Sequence, residues 1–494
     1  MLEARDYQVK QIGEARVALR RVRERLAKLG IKRGPRILLQ CPTGGGKTVI
    51  SSKIMSSLLA NGATPAVFLC HRDFLVDQTS KTYAKEGLDH SFMAAGKWFN
   101  PYTPLHIGMV QTVKARLARY AKPKYVLWDE SHHIGAASWA AIMEEWGDAT
   151  HIGFTATPIR LDGKGLDTWF DEIVLGPSVR WLMDRGYLSD YRAFAPSSPD
   201  LTALHTRMGD YVASEVDEVM DKAVVIGDMV RDYRQYGPGR RAIYFCASIK
   251  HSQHVAASFN AAGIPAMHLD GKHQTWERTR AARAFAQGEL QVLTNVDLFG
   301  EGYDLAAQAE MDVTIEVVGL ARPTQSLGLF MQQIGRALRP KPDKALILDH
   351  AGNIAKHGLP DDDREWSLKG RKQDGSGSST VRQCEECFAM IPINVSPCPE
   401  CGAAKKKPEP MGGRPVNTKD GDLHEIDKEA MRKSKKLEEW QCGSLQEMID
   451  LGKSRGYKDP IAWAGYLFTA REKRRKAKDH ADAQQMSFYE KVMR

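Results

Sequence analysis

Along the first 350 residues, short apolar runs alternate with longer stretches whose apolar positions recur at helical spacing. The runs are RILLQ (36–40), AVFLC (66–70), YVLWD (125–129), IGFT (152–155), AIYFC (242–246), QVLT (291–294), VTIEVV (313–318) and ALILD (345–349). They are apolar at successive rather than alternate positions. Such runs read as strands buried on both faces, the pattern of parallel sheets covered by helices. They fall in two groups on either side of APSSPD (195–200). The pattern therefore predicts two α/β domains, 1–195 and 196–360, with a cleft between them.

After Asp349 the pattern fails. Residues 361–381 are rich in Asp, Gly, Ser and Lys without an apolar period and read as a linker. A cysteine-rich segment (382–403), a second linker (404–436) and a basic segment of helical spacing (437–494) follow. No stretch reaches the roughly 18 apolar residues a membrane helix needs. The opening MLEARDYQVK has no apolar segment of secretory type. The expectation is a cytoplasmic chain, bacterial or from a phage-infected cell, with no membrane partner.

Chemistry enters in the turn after RILLQ, which reads PTGGGKT (42–48) and leads into the helical VISSKIMSSLL. A strand, a Gly-rich turn and a helix in that order cradle phosphates on backbone N–H groups at a helix N-terminus. Thr43, Gly44, Gly45 and Gly46 would form the cradle of an ATP site. Lys47 would reach the β- and γ-phosphates, and Thr48 would hold Mg²⁺. The first position is Cys41, where the simplest motif has glycine. YVLWD ends in Asp129, followed by Glu130, Ser131 and His132. An acid at the C-terminal end of a buried strand sits where open α/β folds bind ligands. Asp129 would orient Mg²⁺ and Glu130 would activate the attacking water. Phosphoryl transfer also needs a cation offered to the γ-phosphate, which Arg336 and Arg339 of QQIGRALRP (332–340) would supply from the second domain; Gln332 opens the same segment.

PTGGGKT, DESH (129–132) and the later segments together resemble the motif set of superfamily 2 helicases and translocases of the DExH type. The resemblance implies two tandem RecA-like domains and ATP hydrolysis coupled to movement on nucleic acid. RDYQ (5–8) resembles the adenine-reading segment and places Arg5 and Gln8 at the base. CHRDFLVDQ (70–78) and GMVQT (108–112) resemble strand-contacting motifs, which assigns Arg72, Gln111 and Thr112 to nucleic acid. FTATP (154–158) resembles the segment coupling hydrolysis to domain movement, through Thr155, Thr157 and His132. NVDLFGEGYD (295–304) brings Gly302 and Asp304 to the nucleotide. The segment 321–340 followed by ALILDHAGN (345–353) is similar to RadD-type helicases and related phage and restriction-system proteins. GYKDPIAWAGYLF (456–468) is similar to a segment near their C-termini. That likeness implies DNA rather than RNA, and a role in repair, recombination or replication. Two alternatives stay open: a duplex translocase that does not separate strands, and an ATP-gated clamp or scaffold.

Four of the eight cysteines fall together as Cys384-x₂-Cys387 and Cys398-x₂-Cys401. Two such turns complete a tetrahedral Cys₄ site for a structural Zn²⁺, with no open coordination position; a redox pair is the competing reading. A ribbon of this kind would face nucleic acid or a protein partner. The net charge of +9 gains meaning from its distribution. Residues 16–36 hold nine basic side chains against one acid, and 403–494 hold 21 against 15, densest in REKRRKAK (471–478). Each cluster is either a phosphate-binding surface or a solvated helix face. His350, Asn353 and His357 read as the end of a strand and its turn rather than a nuclease site. QMSFY (485–489) loosely resembles a sliding-clamp-binding peptide, which adds a replication or repair protein as a candidate partner.

Overall fold

The computed structural model describes residues 3–160, 163–195, 204–207, 210–221, 223–299, 305–370, 381–383, 390–392, 397, 402, 424–425, 438–439, 442, 444–454, 459–465 and 467–468. Seven strands build the first sheet: β1 (Arg36–Gln40), β2 (Ala66–Cys70), β3 (Ser91–Met93), β4 (Leu105–Met109), β5 (Tyr125–Trp128), β6 (Thr150–Thr155) and β7 (Glu172–Leu175). They lie in the order β3-β4-β2-β5-β6-β1-β7, and every pair is parallel. Helices α1 (Asp6–Lys28), α2 (Lys47–Ala60) and α3 (Asp73–Lys85) cover one face. Trp128, Trp139, Trp146 and their neighbours fill the other. Apolar surface on both faces is what the continuous runs required.

The second sheet holds β8 (Tyr191–Ala195), β11 (Ala242–Cys246), β12 (Ala266–Leu269), β13 (Val292–Asn295), β14 (Val317–Ala321), β15 (Ala345–Asp349) and β18 (His424–Glu425). Its order is β12-β13-β11-β14-β15-β8-β18, parallel except where β18 runs against β8. Two small ribbons complete the described strands: β9 (Thr206–Arg207) with β10 (Asp210–Tyr211), and β16 (Val381–Gln383) with β17 (Met390–Pro392). Among the described residues no helix is long and apolar enough to cross a membrane.

Three expectations need correction. The strand read at 313–318 is displaced: β14 begins at Val317 and runs through Gly319 to Ala321. Gly319 lies just past the run read as the strand. It is glycine because a Cβ there would lie 2.2 Å from the Tyr244 ring of β11. The division at 195/196 comes too late. Leu182, Leu188 and Tyr191 belong to the core of the second domain, and β8 pairs with β15, so the chain crosses near Gly176–Ser178. APSSPD marks the exit from β8 instead. Finally, 404–436 is not wholly linker, because His424–Glu425 adds to the edge of the second sheet. In the 437–494 segment a helix spans Leu445–Ser454, and Met448 packs with Cys442, Trp463 and Ala464. The REKRRKAK and QMSFY segments, Gly302 and Asp304, and the four clustered cysteines lie outside the described residues.

Part of the basic stretch 16–36 serves packing, while Arg20, Arg23, Lys28 and Lys32 are exposed. Val22 and Leu26 are buried, while Arg21 pairs with Glu172 and Arg33 with Asp171 at 2.7 Å. These pairs hold α1 and the turn after it against the start of β7. The Asp171 carboxyl is part-buried, which opposes its charge, but the Arg33 guanidinium holds it below the usual carboxylate range.

Candidate nucleotide site and domain cleft

Three adjacent strands of the first sheet, β5, β6 and β1, end side by side and deliver the chemistry. PTGGGKT turns out of β1, Asp129 follows β5, and Thr155 ends β6. The chain leaves β1 for β2 on the far side of β5, so the crevice forms where strand order reverses. Gly46 caps α2 at φ +83°, a left-handed conformation that favours glycine. A Cβ there would also strike Gln8 Nε2 at 2.2 Å.

Lys47 forms an ion pair with Glu130. Burial works against the lysine charge, yet Glu130 and Asp129 prevail and raise its pKa. Asp129 is raised as well, by burial and then by Glu130 beside it. Glu130 is held at φ +44°, a strained setting for a non-glycine residue of the kind found at active sites. Cys41 is buried behind the loop, its thiol pushed up to about 12 by burial, so it is an inert filler.

From Glu130 a chain of polar contacts leads away from the phosphate loop. His132 Nδ1 lies 3.4 Å from Glu130 Oε2 and 3.1 Å from Thr155 Oγ1. Thr155 Oγ1 donates to Thr157 O at 3.0 Å and accepts from Thr157 N at 3.2 Å. Thr157 stands against the second domain, where a Cβ on Gly328 would meet its Oγ1 at 3.0 Å. Gly328 lies on the helix Leu327–Gly335, which carries Gln332 and leads directly into Arg336. Two turns after Gly328, Gly335 approaches Thr43 so closely that a Cβ would lie 2.4 Å from Thr43 Cγ2. Both Gln332 and Arg336 are buried at this junction. Arg339 is half-buried, and its carbonyl accepts from Ser189 Oγ at 3.0 Å.

The donor set fits a triphosphate. Thr43 Oγ1 and Gln332 Nε2 are both buried with no hydrogen-bond partner, one from each side of the cleft. Buried polar atoms left this way await a polar ligand. At the base end, Gln8 is already engaged: Nε2 donates to Gly45 O at 3.1 Å, and Oε1 accepts from Arg5 N at 2.9 Å. An amide has two donors and two lone pairs, so one of each is left for a base. Sequence reasoning missed the aromatic floor beside it. Tyr7 donates to Gly45 O at 2.9 Å and contacts Trp181 and Tyr187, while Arg5 lies over the Tyr187 ring at 4.7 Å. The adjacency of Tyr7 to Gln8 was the one available signal.

The residues assigned to nucleic acid stand at the same end of the sheet. Arg72 follows β2, and its Nη1 donates to Asp297 O of the second domain at 3.4 Å. Gln111 is exposed and Thr112 half-buried just after β4. His350, Asn353 and His357 are structural: Asn353 Oδ1 accepts from Thr324 N, and His357 Nε2 contacts Thr324 O.

Two α/β domains that meet at a phosphate loop and an acid pair make a P-loop ATPase. Comparison with known proteins fixes the branch. Residues 1–160 match the type III restriction enzyme res subunit model, and 221–341 match the helicase conserved C-terminal domain. A 51.5 kDa protein of a Lactococcus phage (isolate 7-9) is 34% identical over 370 residues, covering 74% of this chain and 77% of the phage protein. The chain therefore belongs to the superfamily 2 helicases, nucleic-acid-dependent ATPases that use ATP with Mg²⁺. IRC3 of Saccharomyces cerevisiae, which carries the name of an ATP-dependent helicase, is 27% identical over 64% of this chain and 48% of its own length. A fragment of an HsdR subunit of a type I restriction enzyme from Vibrio vulnificus shares the fold, with a TM-score of 0.54 at 20% identity. That match covers 72% of this chain and 65% of the fragment.

Proposed function

We propose that the protein is an ATP-driven DNA motor that moves along or unwinds DNA, acting in repair, recombination or replication. The observation that carries this reading is the contact chain from Glu130 through His132, Thr155 and Thr157 to Gly328. It connects the water-activating acid to the helix that bears Gln332 and Arg336, so the state of the phosphate site bears directly on domain spacing. ATP with Mg²⁺ supplies the transferable phosphoryl group and neutralises its charge when bound. Thr43, the Gly44–Gly46 backbone and Lys47 would hold the phosphates, and Thr48 and Asp129 would hold Mg²⁺. Gly302 and Asp304 would complete the nucleotide site from the second domain. Tyr7, Trp181 and Tyr187 would seat the base, with Gln8 reading its edge. Glu130, released from Lys47, accepts the proton of the attacking water at its carboxylate. Arg336 and Arg339 offer positive charge from the second domain, and Gln332 positions the water. Arg72, Gln111 and Thr112 would follow the DNA backbone.

DNA is favoured over RNA by the restriction-enzyme subunits among the relatives. Those same relatives support the second reading, a duplex translocase without strand separation. The clustered cysteines would hold a structural Zn²⁺. The division of labour would place the motor at about 1–360, with the ribbon and the basic C-terminal region as accessories that contact DNA or a repair or replication protein.

The deciding measurement is ATP turnover with no nucleic acid, single-stranded DNA, duplex DNA and RNA, followed by strand displacement. Single-stranded DNA is expected to raise turnover about 10-fold or more. Stimulation by duplex without displacement would select the translocase. The motor reading fails if no nucleic acid raises turnover.

A further inference from the structure

The strand β12 forms one edge of the second sheet, and the chain turns through Asp270–Gln274 into the helix Thr275–Gln287. Ligand-capable atoms of His268, Asp270 and His273 lie within 4.8 Å of one another there. Hydrogen bonding decides which atom of His268 is available. Thr294 Oγ1 donates to Ser252 O at 2.7 Å, so in the 2.9 Å contact between the two hydroxyls Ser252 is the donor. Ser252 Oγ can then only accept from His268 Nδ1–H, at 2.6 Å. The lone pair of His268 therefore sits on Nε2, which is buried without a hydrogen-bond partner. That atom faces Asp270 Oδ2 at 3.5 Å. In the neutral imidazole this turns two acceptors, Nε2 and Oδ2, toward each other. Asp270 Oδ1 accepts from Lys272 N at 2.9 Å and lies 2.8 Å from His273 Nδ1, so Oδ2 is the oxygen left for a ligand.

We propose that His268, Asp270 and His273 form a transition-metal site that takes Zn²⁺, at the turn between β12 and the following helix. Zinc bonds of about 2.0–2.1 Å to nitrogen and oxygen space tetrahedral ligands by roughly 3.3 Å. The distance from His268 Nε2 to Asp270 Oδ2 already matches. The His273 side chain is 25% exposed, and its Nδ1 lies 2.8 Å from Asp270 Oδ1 and 3.2 Å from Asp270 N on the same turn. Two imidazoles and a carboxylate suit a borderline metal such as zinc and leave one position for water. The Ser252–Thr294 pair acts as the outer support that fixes ring orientation, an arrangement metal-binding histidines commonly have. The bound ion would pin the Asp270–Gln274 turn, and with it Lys272 and the exposed Trp276.

The test uses the full-length protein, loaded with Zn²⁺, cleared of excess metal by gel filtration and counted by mass spectrometry. Wild type is expected to hold one zinc per chain more than His273→Gln or Asp270→Asn. Cobalt substitution separates this site from the clustered cysteines, because only thiolate ligands give intense sulfur-to-metal absorption. That absorption should be equal in all three proteins. His273→Gln changes a part-exposed turn residue, and circular dichroism checks that it is folded; if Asp270→Asn unfolds, His273→Gln alone decides. Equal zinc counts in wild type and the folded variants would overturn the assignment, as would a loss that tracks the thiolate absorption.

Discussion

At the scale of single residues, the phosphate loop and the acid pair were legible because they are contiguous. Seven consecutive residues carry the loop, and two carry the acids. The aromatic cluster beside Gln8 was not legible, since Tyr7 meets Trp181 and Tyr187 only after the whole first domain has been threaded between them. The environment also adds what residue type alone does not state: Glu130 lies against Lys47 in a strained backbone setting, and Asp129 is pushed upward by burial. Replacing Glu130 with Gln keeps the side-chain shape and removes the proton acceptor. Turnover is expected to fall about 100-fold or more, with nucleotide binding retained in a fluorescent-analogue titration. Wild-type turnover in Glu130→Gln would remove Glu130 from the mechanism. Cys41 is expected to resist alkylation in the folded protein, because burial has pushed its thiol up to about 12.

At the scale of elements, seven of the eight apolar runs fall on strands, VTIEVV was displaced, and the strands β3, β4, β7, β8 and β12 were passed over. YRAFA (191–195) and AMHL (266–269) mix polar and apolar residues, since both lie toward the edges of their sheet. An edge strand is less constrained to be apolar throughout than a central one. The strand β14 extends past the run VTIEVV through Gly319, which serves close packing against Tyr244. The helix Leu327–Gly335 shows the same logic at the cleft. Its last residue must lack a side chain for Thr43 to approach. Gly335→Ala should hold the domains apart and lower turnover about 10- to 100-fold. Trimming the opposing methyl in a Gly335→Ala/Thr43→Ser double variant should restore part of that loss. Kinetics that show no recovery would mean the glycine is needed for something other than this contact.

At the scale of the molecule, both domains were visible in advance as two groups of buried strands, but the chain crosses between them earlier than its polar composition suggested. The buried histidines give the whole fold an acid limit. Burial, aided by Arg36, pushes His151 down to about 3. Trp128 Nε1 donates to its Nδ1 at 3.0 Å, and its Nε2 faces Trp146 O at 3.0 Å. His350 is likewise pushed down to about 3, and His251 to about 4, both by burial. An unfolded histidine titrates near 6.5. A folded value below that makes the contribution complete above pH 6.5 and progressively lost as pH falls toward 3. For His151 the slope is about 1.4 kcal/mol per pH unit. Melting temperature should hold above pH 7 and decline from about pH 6, less steeply in His151→Gln; a flat profile down to pH 5 would contradict it. The antiparallel pairing of β18 with β8 also sets an order in biosynthesis. The first sheet is complete once residue 175 has left the ribosome, whereas the second keeps an open edge at β8 until residue 425 emerges. A nascent chain stalled before that point presents an uncapped strand to its neighbours, the kind of surface that chaperones cover and aggregates grow from.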